Sequence, residues 1–418
     1  MNATTRLAPP GRPVSDGWWQ RATAPAFLSA AVFALVAVRV IAAMLVPPVR
    51  QPGWPDVVLL VVAIVVAVRS ALVSPPGRAR AGAAAAAALF WLAPCLVAPL
   101  HDQDIPIVAA AMAAVAVALI LGPPSSSSVV RLSVVAGGVI VILSLLYGVM
   151  SALGLWDGAF HIVGDYQRAV GGIPALRGIT LHPNTLGAIA GVTAVIGLAI
   201  ALANRRPGAF VIPALCTVAL LWSQSRTSVG GVLIAVSALL LVHWRPRTVP
   251  FVVGGGLLLA LVPVLATWQY GSVVDLSALV TGRDLAWAPS LRLFQESPLI
   301  GFGPDALSRE FWRTQPDQWW EPLHAHNQVL QAMAQAGLVG LTGLVALTLA
   351  GVWVALTRVG WAGALAVALT VLVGAQAGVE VPLGLTYFPI SLLLPATVVA
   401  VFAYGGSLAW ARPPRRRP

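Results

Sequence analysis

Between Gly282 and Gly340 the chain holds its longest polar stretch flanked by two membrane-length apolar segments, and this stretch concentrates groups able to do chemistry. It reads Gly282-Arg283-Asp284, then Ser297-Pro298-Leu299-Ile300-Gly301-Phe302-Gly303, then His324-Ala325-His326-Asn327, before running into Gly337-Leu338-Val339-Gly340. His326 and Asn327 open an apolar span. A histidine at a helix N-terminus meets the positive end of the dipole, which favours a neutral imidazole able to take a proton as a general base. The same placement also suits a histidine that merely caps its helix. His324, Gln328, Gln331 and Gln335 follow one another at helical spacing and line one face, which in lipid must meet a cavity or polar neighbours. Gly337 and Gly340 suit close helix packing.

Further polar groups stand at the ends of other apolar segments. Arg177 precedes Thr180-Leu181-His182-Pro183-Asn184, where Pro183 suits the first turn of a helix and Asn184 offers a capping amide. Arg226 stands within Ser223-Gln224-Ser225-Arg226-Thr227-Ser228. A single arginine at a membrane boundary can simply snorkel to headgroups. Three on one side are a plausible clamp, because a planar guanidinium pairs bidentately with phosphate, so Arg177, Arg226 and Arg283 suit a lipid diphosphate. Arg39, inside the first apolar segment, reads as structural. The dense aromatics of the polar stretch, Trp287 among them, suit an interfacial belt or stacking on sugar rings. Asp284, Trp287, Leu291 and Phe294 fall at helical spacing, with a break expected at Pro289. No metal is expected, since His324-x-His326 lacks a third ligand nearby in sequence. Without a Walker or dinucleotide-binding glycine pattern, no cofactor is expected either, and an activated donor must arrive ready-made.

The elements that hold these groups follow from composition. The 418 residues are 58% hydrophobic and only 9% charged, with a mean hydropathy of +0.87. Soluble domains carry about 25% charged residues, so this is an all-α integral membrane protein. At about 20 apolar residues per crossing, twelve spans are expected near 25–47, 57–75, 81–100, 106–122, 129–153, 184–204, 209–222, 228–244, 249–268, 326–356, 360–378 and 386–410. The first is too long for a signal-peptide core and reads as a retained anchor. This divides the chain into a tail 1–24, spans over 25–268, a long loop 269–325 with short interfacial helices, spans over 326–410, and a basic tail 411–418. All 25 basic residues are arginine. Those of both tails, and Arg69, Arg78, Arg80, Arg131, Arg205, Arg206, Arg245, Arg247 and Arg358, fall on one face with Asp16. Asp102, Asp157, Asp284, Glu310, Glu380 and the other carboxylates fall opposite. The positive-inside pattern makes both termini cytoplasmic, sets the chemistry on the outer face of the cytoplasmic (inner) membrane, and explains the net charge of +11 without nucleic acid. Cys95 and Cys216 lie in apolar segments and read as free thiols.

His326-Asn327 followed by Gly337-x-x-Gly340, with Ser225-Arg226-Thr227, Gly282-Arg283, Ser297 to Gly303 and His182-Pro183-Asn184 in order before it, resembles the O-antigen ligase family over roughly residues 165–345. The resemblance implies a GT-C-like, metal-independent, inverting glycosyltransferase. Such an enzyme moves a glycan from a polyprenyl diphosphate carrier to an acceptor hydroxyl on a glycolipid or polysaccharide. It implies His326 as base and Arg226, Arg283 and Arg177 on the diphosphate, with His324, Asn327, Gln331, His182, Asn184 and Trp287 lining the acceptor or glycan site. A repeat-unit polymerase or a protein O-oligosaccharyltransferase would use the same chemistry. A lipid-linked glycan flippase or anion transporter is the reading from another class, and it needs polar groups reachable from both leaflets.

Overall fold

The computed structural model describes residues 25–45, 53–122, 127–155, 162–163, 173–180, 182–270, 283–314, 324–384 and 392–404. The apolar helices follow the hydropathy closely. They are α1 (Pro25–Leu45), α2 (Trp54–Val73), α3 (Arg78–Val97), α4 (Ile107–Leu121), α5 (Ser127–Ala152), α6 (Pro183–Asn204), α7 (Val211–Trp222), α8 (Arg226–Trp244) and α9 (Val249–Tyr270). Two polar-stretch helices follow, α10 (Trp287–Glu296) and α11 (Ala306–Thr314), and then α12 (Gln328–Thr357), α13 (Gly360–Ala377) and α14 (Leu393–Tyr404). Among the described residues nine helices are long and apolar enough to cross a membrane, while α4, α7 and α14 are apolar but shorter. Each expected span thus has an apolar helix, and three fall short of the ruler. Their outward faces carry exposed Val38, Val61, Leu72, Leu241, Leu258 and Trp353, the pattern of a multi-pass membrane protein whose solvent is lipid.

A two-residue antiparallel ladder, β1 (Ile162–Val163) with β2 (Ala175–Leu176), departs from the all-helical expectation. Its segment is tied to the α7–α8 turn, where Trp222 Nε1 donates to Pro174 O at 3.2 Å and Gln224 Nε2 to Ile173 O at 2.7 Å.

Helix α12 packs along α3, and α13 along α8 and α9. Within α12, Gly337 breaks the helical path with φ 57° and ψ −144°, a conformation open essentially to glycine. The break orphans backbone groups, and the Ser297–Gly303 segment satisfies them. Leu338 N donates to Pro298 O at 2.7 Å and Val339 N to Leu299 O at 3.3 Å. In return, Phe302 N and Gly303 N donate to Ala334 O and Gln335 O at 3.0 and 2.9 Å. A Cβ on Gly337 would lie 2.5 Å from the Leu299 carbonyl carbon. The two glycine-bearing motifs are therefore halves of one joint, and Gly337 serves loop insertion where helix–helix packing was expected. The α3–α4 turn clasps the same loop from outside, with Gln103 Nε2 donating to Phe302 O at 2.7 Å and Gln103 Oε1 accepting from Asp305 N at 3.0 Å.

Helix α10 starts at Trp287 after a 3-10 turn, Arg283–Ala286, and continues through Pro289 without the expected break. Pro289 sits in the first turn, where no intrahelical N–H bond is lost. Arg292 pairs with Glu310 at 2.9 Å and joins α10 to α11.

Arg39, expected to be structural, is buried against Asp56 of α2 in a two-pronged pair, Nε to Oδ1 and NH2 to Oδ2, each at 2.8 Å. Removing one partner of such a pair strands a buried charge, at a cost of about 3–5 kcal/mol. Asp56→Asn should lower the thermal unfolding midpoint in detergent markedly, and the double change Arg39→Met with Asp56→Leu should recover most of it. An Asp56→Asn protein as stable as wild type would contradict the pair. Gly337→Ala should loosen the Ser297–Gly303 joint, read as faster hydrogen exchange at the Leu338 and Phe302 amides; unchanged protection would contradict it.

Candidate active site

Three strands of chain meet around Glu380, which lies just beyond the end of α13. Its backbone N–H donates to Gln376 O at 2.7 Å, continuing the last helical turn outward. From the start of the 3-10 turn before α10, Arg283 NH2 reaches Oε1 at 2.6 Å. From the first turn of α6, Asn184 Nδ2 donates to the same oxygen at 2.8 Å. From the approach to α12, His326 Nδ1 faces Oε2 at 3.4 Å. The site is thus assembled from α6, α12, α13 and the turn before α10.

Local chain geometry explains how each group is aimed. The N-cap of α12 is Asn327, whose Oδ1 accepts from Val329 N and Leu330 N at 2.9 and 3.0 Å. Its Nδ2 donates to Gly378 O at 3.0 Å and ties α12 to the end of α13. His326 therefore stands outside the helix, before the cap, and its left-handed backbone (φ 49°) turns the ring back toward Glu380. His324 packs edge-on against it, with ring centroids 4.1 Å apart, and its Nδ1 accepts from His326 N at 3.3 Å. At the start of α6 the cap is His182, where Asn184 was expected: His182 Nδ1 accepts from Asn184 N at 3.1 Å, which leaves the Asn184 amide for Glu380.

The other residues expected in the site divide into two groups. Arg226 is exposed at the first turn of α8. It stands at the same end of the bundle, since a Cβ on Gly187 of α6 would touch Ser225 at 2.6 Å. Arg177 is half-buried one turn before α6, where its carbonyl accepts from Thr180 Oγ1 at 2.6 Å. Asn327, Gln331 and Trp287, by contrast, are buried and point into the protein. Gln331 Oε1 accepts from Ala325 N at 2.6 Å and Gln328 Oε1 from Leu383 N at 2.8 Å, while Gln335 Nε2 donates to Pro304 O at 2.9 Å. The row meets loop backbone, which answers the demand for polar neighbours in lipid. Trp287 packs with Leu291, Leu307 and Leu330 and offers no open ring face. Trp319 and Trp320 lie outside the described residues.

Glu380 was visible in the sequence as a carboxylate in a short turn between two apolar segments, with nothing to say what it faced. It also supplies the third group that His324-x-His326 lacked, since nitrogens of both rings and a Glu380 oxygen lie within 4.8 Å of one another. Two atoms of this trio are already engaged, Oε1 by the Arg283 guanidinium and His324 Nδ1 by the His326 backbone N–H.

Burial works to raise the Glu380 pKa, but the His326 hydrogen bond and the Arg283 charge outweigh it and hold the carboxyl at about 2. An ionised carboxylate only accepts, so in this contact Nδ1 of His326 is the donor, and the tautomer of the neutral ring that makes it has its lone pair on Nε2. His324 is pushed down to about 3, first by burial and then by His326, despite the opposing pull of Glu380. It is neutral at pH 7, in keeping with its acceptor role. Both shifts favour the folded site at neutral pH. Stability from His324 is lost as pH falls below 6.5 toward 3, and that from Glu380 as pH falls from 4.5 toward 2. The protection factors of amides 324–328 and 378–382, taken relative to intrinsic exchange at each pH, should therefore fall on acidification from pH 6.5 before those of the rest of the bundle; protection factors that stay uniform down to pH 3 would contradict these environments.

No curated protein matches the chain. Residues 208–345 match the family described as O-Antigen ligase. That region contains Arg226, Arg283, His324, His326 and the joint at Gly337, while Arg177, His182, Asn184 and Glu380 lie outside it. The match spans about a third of the chain, from the approach to α7 into α12.

Proposed function

We propose that the protein is a membrane glycosyltransferase that moves a glycan from a polyprenyl diphosphate carrier to an acceptor hydroxyl at the outer face of the cytoplasmic membrane. The family match supports a membrane enzyme of the glycan ligase or polymerase type. The observation that carries the finer reading is the pairing of His326 with Arg283 through one carboxylate, which sets a proton acceptor beside a phosphate-binding cation.

In this reading the acceptor hydroxyl gives its proton to His326 Nε2 while its oxygen bonds to the anomeric carbon. The bond from that carbon to the diphosphate breaks, and its electron pair leaves with the polyprenyl diphosphate. General-base help is worth typically about 10²–10⁴-fold. Arg283, Arg226 and Arg177 neutralise the charge that grows on the leaving group, a preorganised electrostatic contribution that costs no reorganisation at the moment of reaction. Direct attack inverts the anomeric configuration. With the leaving group held by arginines, no metal is required.

The test is the surface polysaccharide of a deletion host carrying either the wild-type gene or His326→Ala. With the variant, long glycan should accumulate on its lipid carrier without reaching its anchor. Accumulated single repeat units would instead assign a polymerase, and normal attached polymer with His326→Ala would overturn the catalytic assignment and favour transport. Turnover by purified protein should survive a chelator. Loss of activity that an added divalent ion restores would contradict the metal-independent mechanism.

A further inference from the structure

The Glu380 carboxylate is claimed from two sides, and the claims are unequal. Oε1 receives Arg283 at 2.6 Å and Asn184 at 2.8 Å, whereas Oε2 meets His326 Nδ1 only at 3.4 Å. Hydrogen bonds between charged nitrogen and oxygen groups settle near 2.7–2.9 Å. The arginine contact is tight and the histidine contact slack. The ring of His326 is therefore oriented but not firmly held.

Arg283 is also the guanidinium assigned to the donor diphosphate under the proposed function, and the role inferred for Glu380 rests on that reading. A diphosphate carries more negative charge than one carboxylate and offers the bidentate geometry that a guanidinium matches best. It competes with Glu380 for the same group. When Arg283 turns to phosphate, Asn184 still tethers Oε1, and His326, whose Nδ1 already faces Oε2, is the ring on which the carboxylate can close. His324 makes no hydrogen bond to Glu380: its Nδ1 accepts from the His326 backbone N–H, and its ring packs edge-on against His326.

We propose that Glu380 is a positioning residue that donor binding transfers from Arg283 to His326. The diphosphate takes the guanidinium, and the released carboxylate closes on Nδ1. Closure holds the ring with Nε2 toward the acceptor and stabilises the imidazolium formed when the proton is taken, the role a buried carboxylate plays behind a catalytic histidine. The base is then fully set only in donor-loaded enzyme. Binding energy of the correct donor completes the catalytic group, a form of induced fit.

The experiment uses full-length protein in nanodiscs, with wild type, Glu380→Gln, Glu380→Asp and His326→Ala compared in parallel. Two quantities are read: equilibrium binding of sugar-free polyprenyl diphosphate, and kcat for glycan transfer. A neutral amide no longer holds Arg283 as an ion pair, so Glu380→Gln should bind polyprenyl diphosphate several-fold more tightly than wild type. Its kcat should fall by about 10-fold or more, toward that of His326→Ala. Glu380→Asp should recover part of kcat. Weaker binding that falls in step with kcat in Glu380→Gln would mean a merely structural anchor and overturn the proposal. An inactive His326→Ala beside a Glu380→Gln of wild-type kcat would overturn this inference alone. A His326→Ala protein of normal kcat would overturn the catalytic reading and this inference with it.

Discussion

One carboxylate set between a guanidinium, an amide and an imidazole just beyond a helix end governs how this end of the bundle is put together. A half-buried Glu380 is costly unless its oxygens are answered, and they are answered by Arg283, Asn184 and His326 from three separate parts of the chain. The chain turn before α10, the first turn of α6 and the approach to α12 therefore cannot take independent positions. Their side chains converge because leaving the carboxylate unpaired would be worse. The same need that holds the fold together at this point brings the His326 imidazole and the Arg283 guanidinium to one carboxylate.

The second constraint is the lipid. Backbone that leaves the helix at membrane depth is tolerated only when protein satisfies it. Here the break at Gly337 is matched bond for bond by Ser297–Gly303, and the amides of Gln328, Gln331 and Gln335 serve loop backbone that would otherwise be orphaned. Asn327 works in the same way, capping α12 and gripping Gly378. These polar side chains keep α12 and α13 in register, so that His326 and Glu380 face each other. In α1, Arg39 is made tolerable by Asp56 on the same principle.

Much of this was legible in the amino acids. Apolar run lengths located the apolar helices among the described residues, because in lipid hydropathy and helix formation are one demand. His326 and Arg283 stood out as polar groups where an apolar chain has few, and the structure brings them to one carboxylate. What stayed hidden was the partner of each polar group. Glu380 is 54 residues beyond His326 and 97 beyond Arg283, and no local period reports so long a separation. Asn327 and Gln331 looked like site residues because they are polar and close to His326, and Trp287 because it stands in an aromatic-rich polar stretch, yet the fold buries all three. Helical periodicity tells which residues share a face, and only packing tells whether that face meets a cavity or a neighbouring loop. Pro289 reads as a breaker until the helix start is known, and that start was set by the 3-10 turn at Arg283.

Direct attack at the anomeric carbon, by an acceptor that His326 has deprotonated, is the step on which the proposed chemistry stands. The most direct measurement is the anomeric configuration, by NMR, of the linkage formed when the purified protein transfers a defined glycan from its polyprenyl diphosphate. An inverted linkage made by wild type and absent with His326→Ala is the predicted result. A retained linkage, or an inverted one made equally well without His326, would contradict that step.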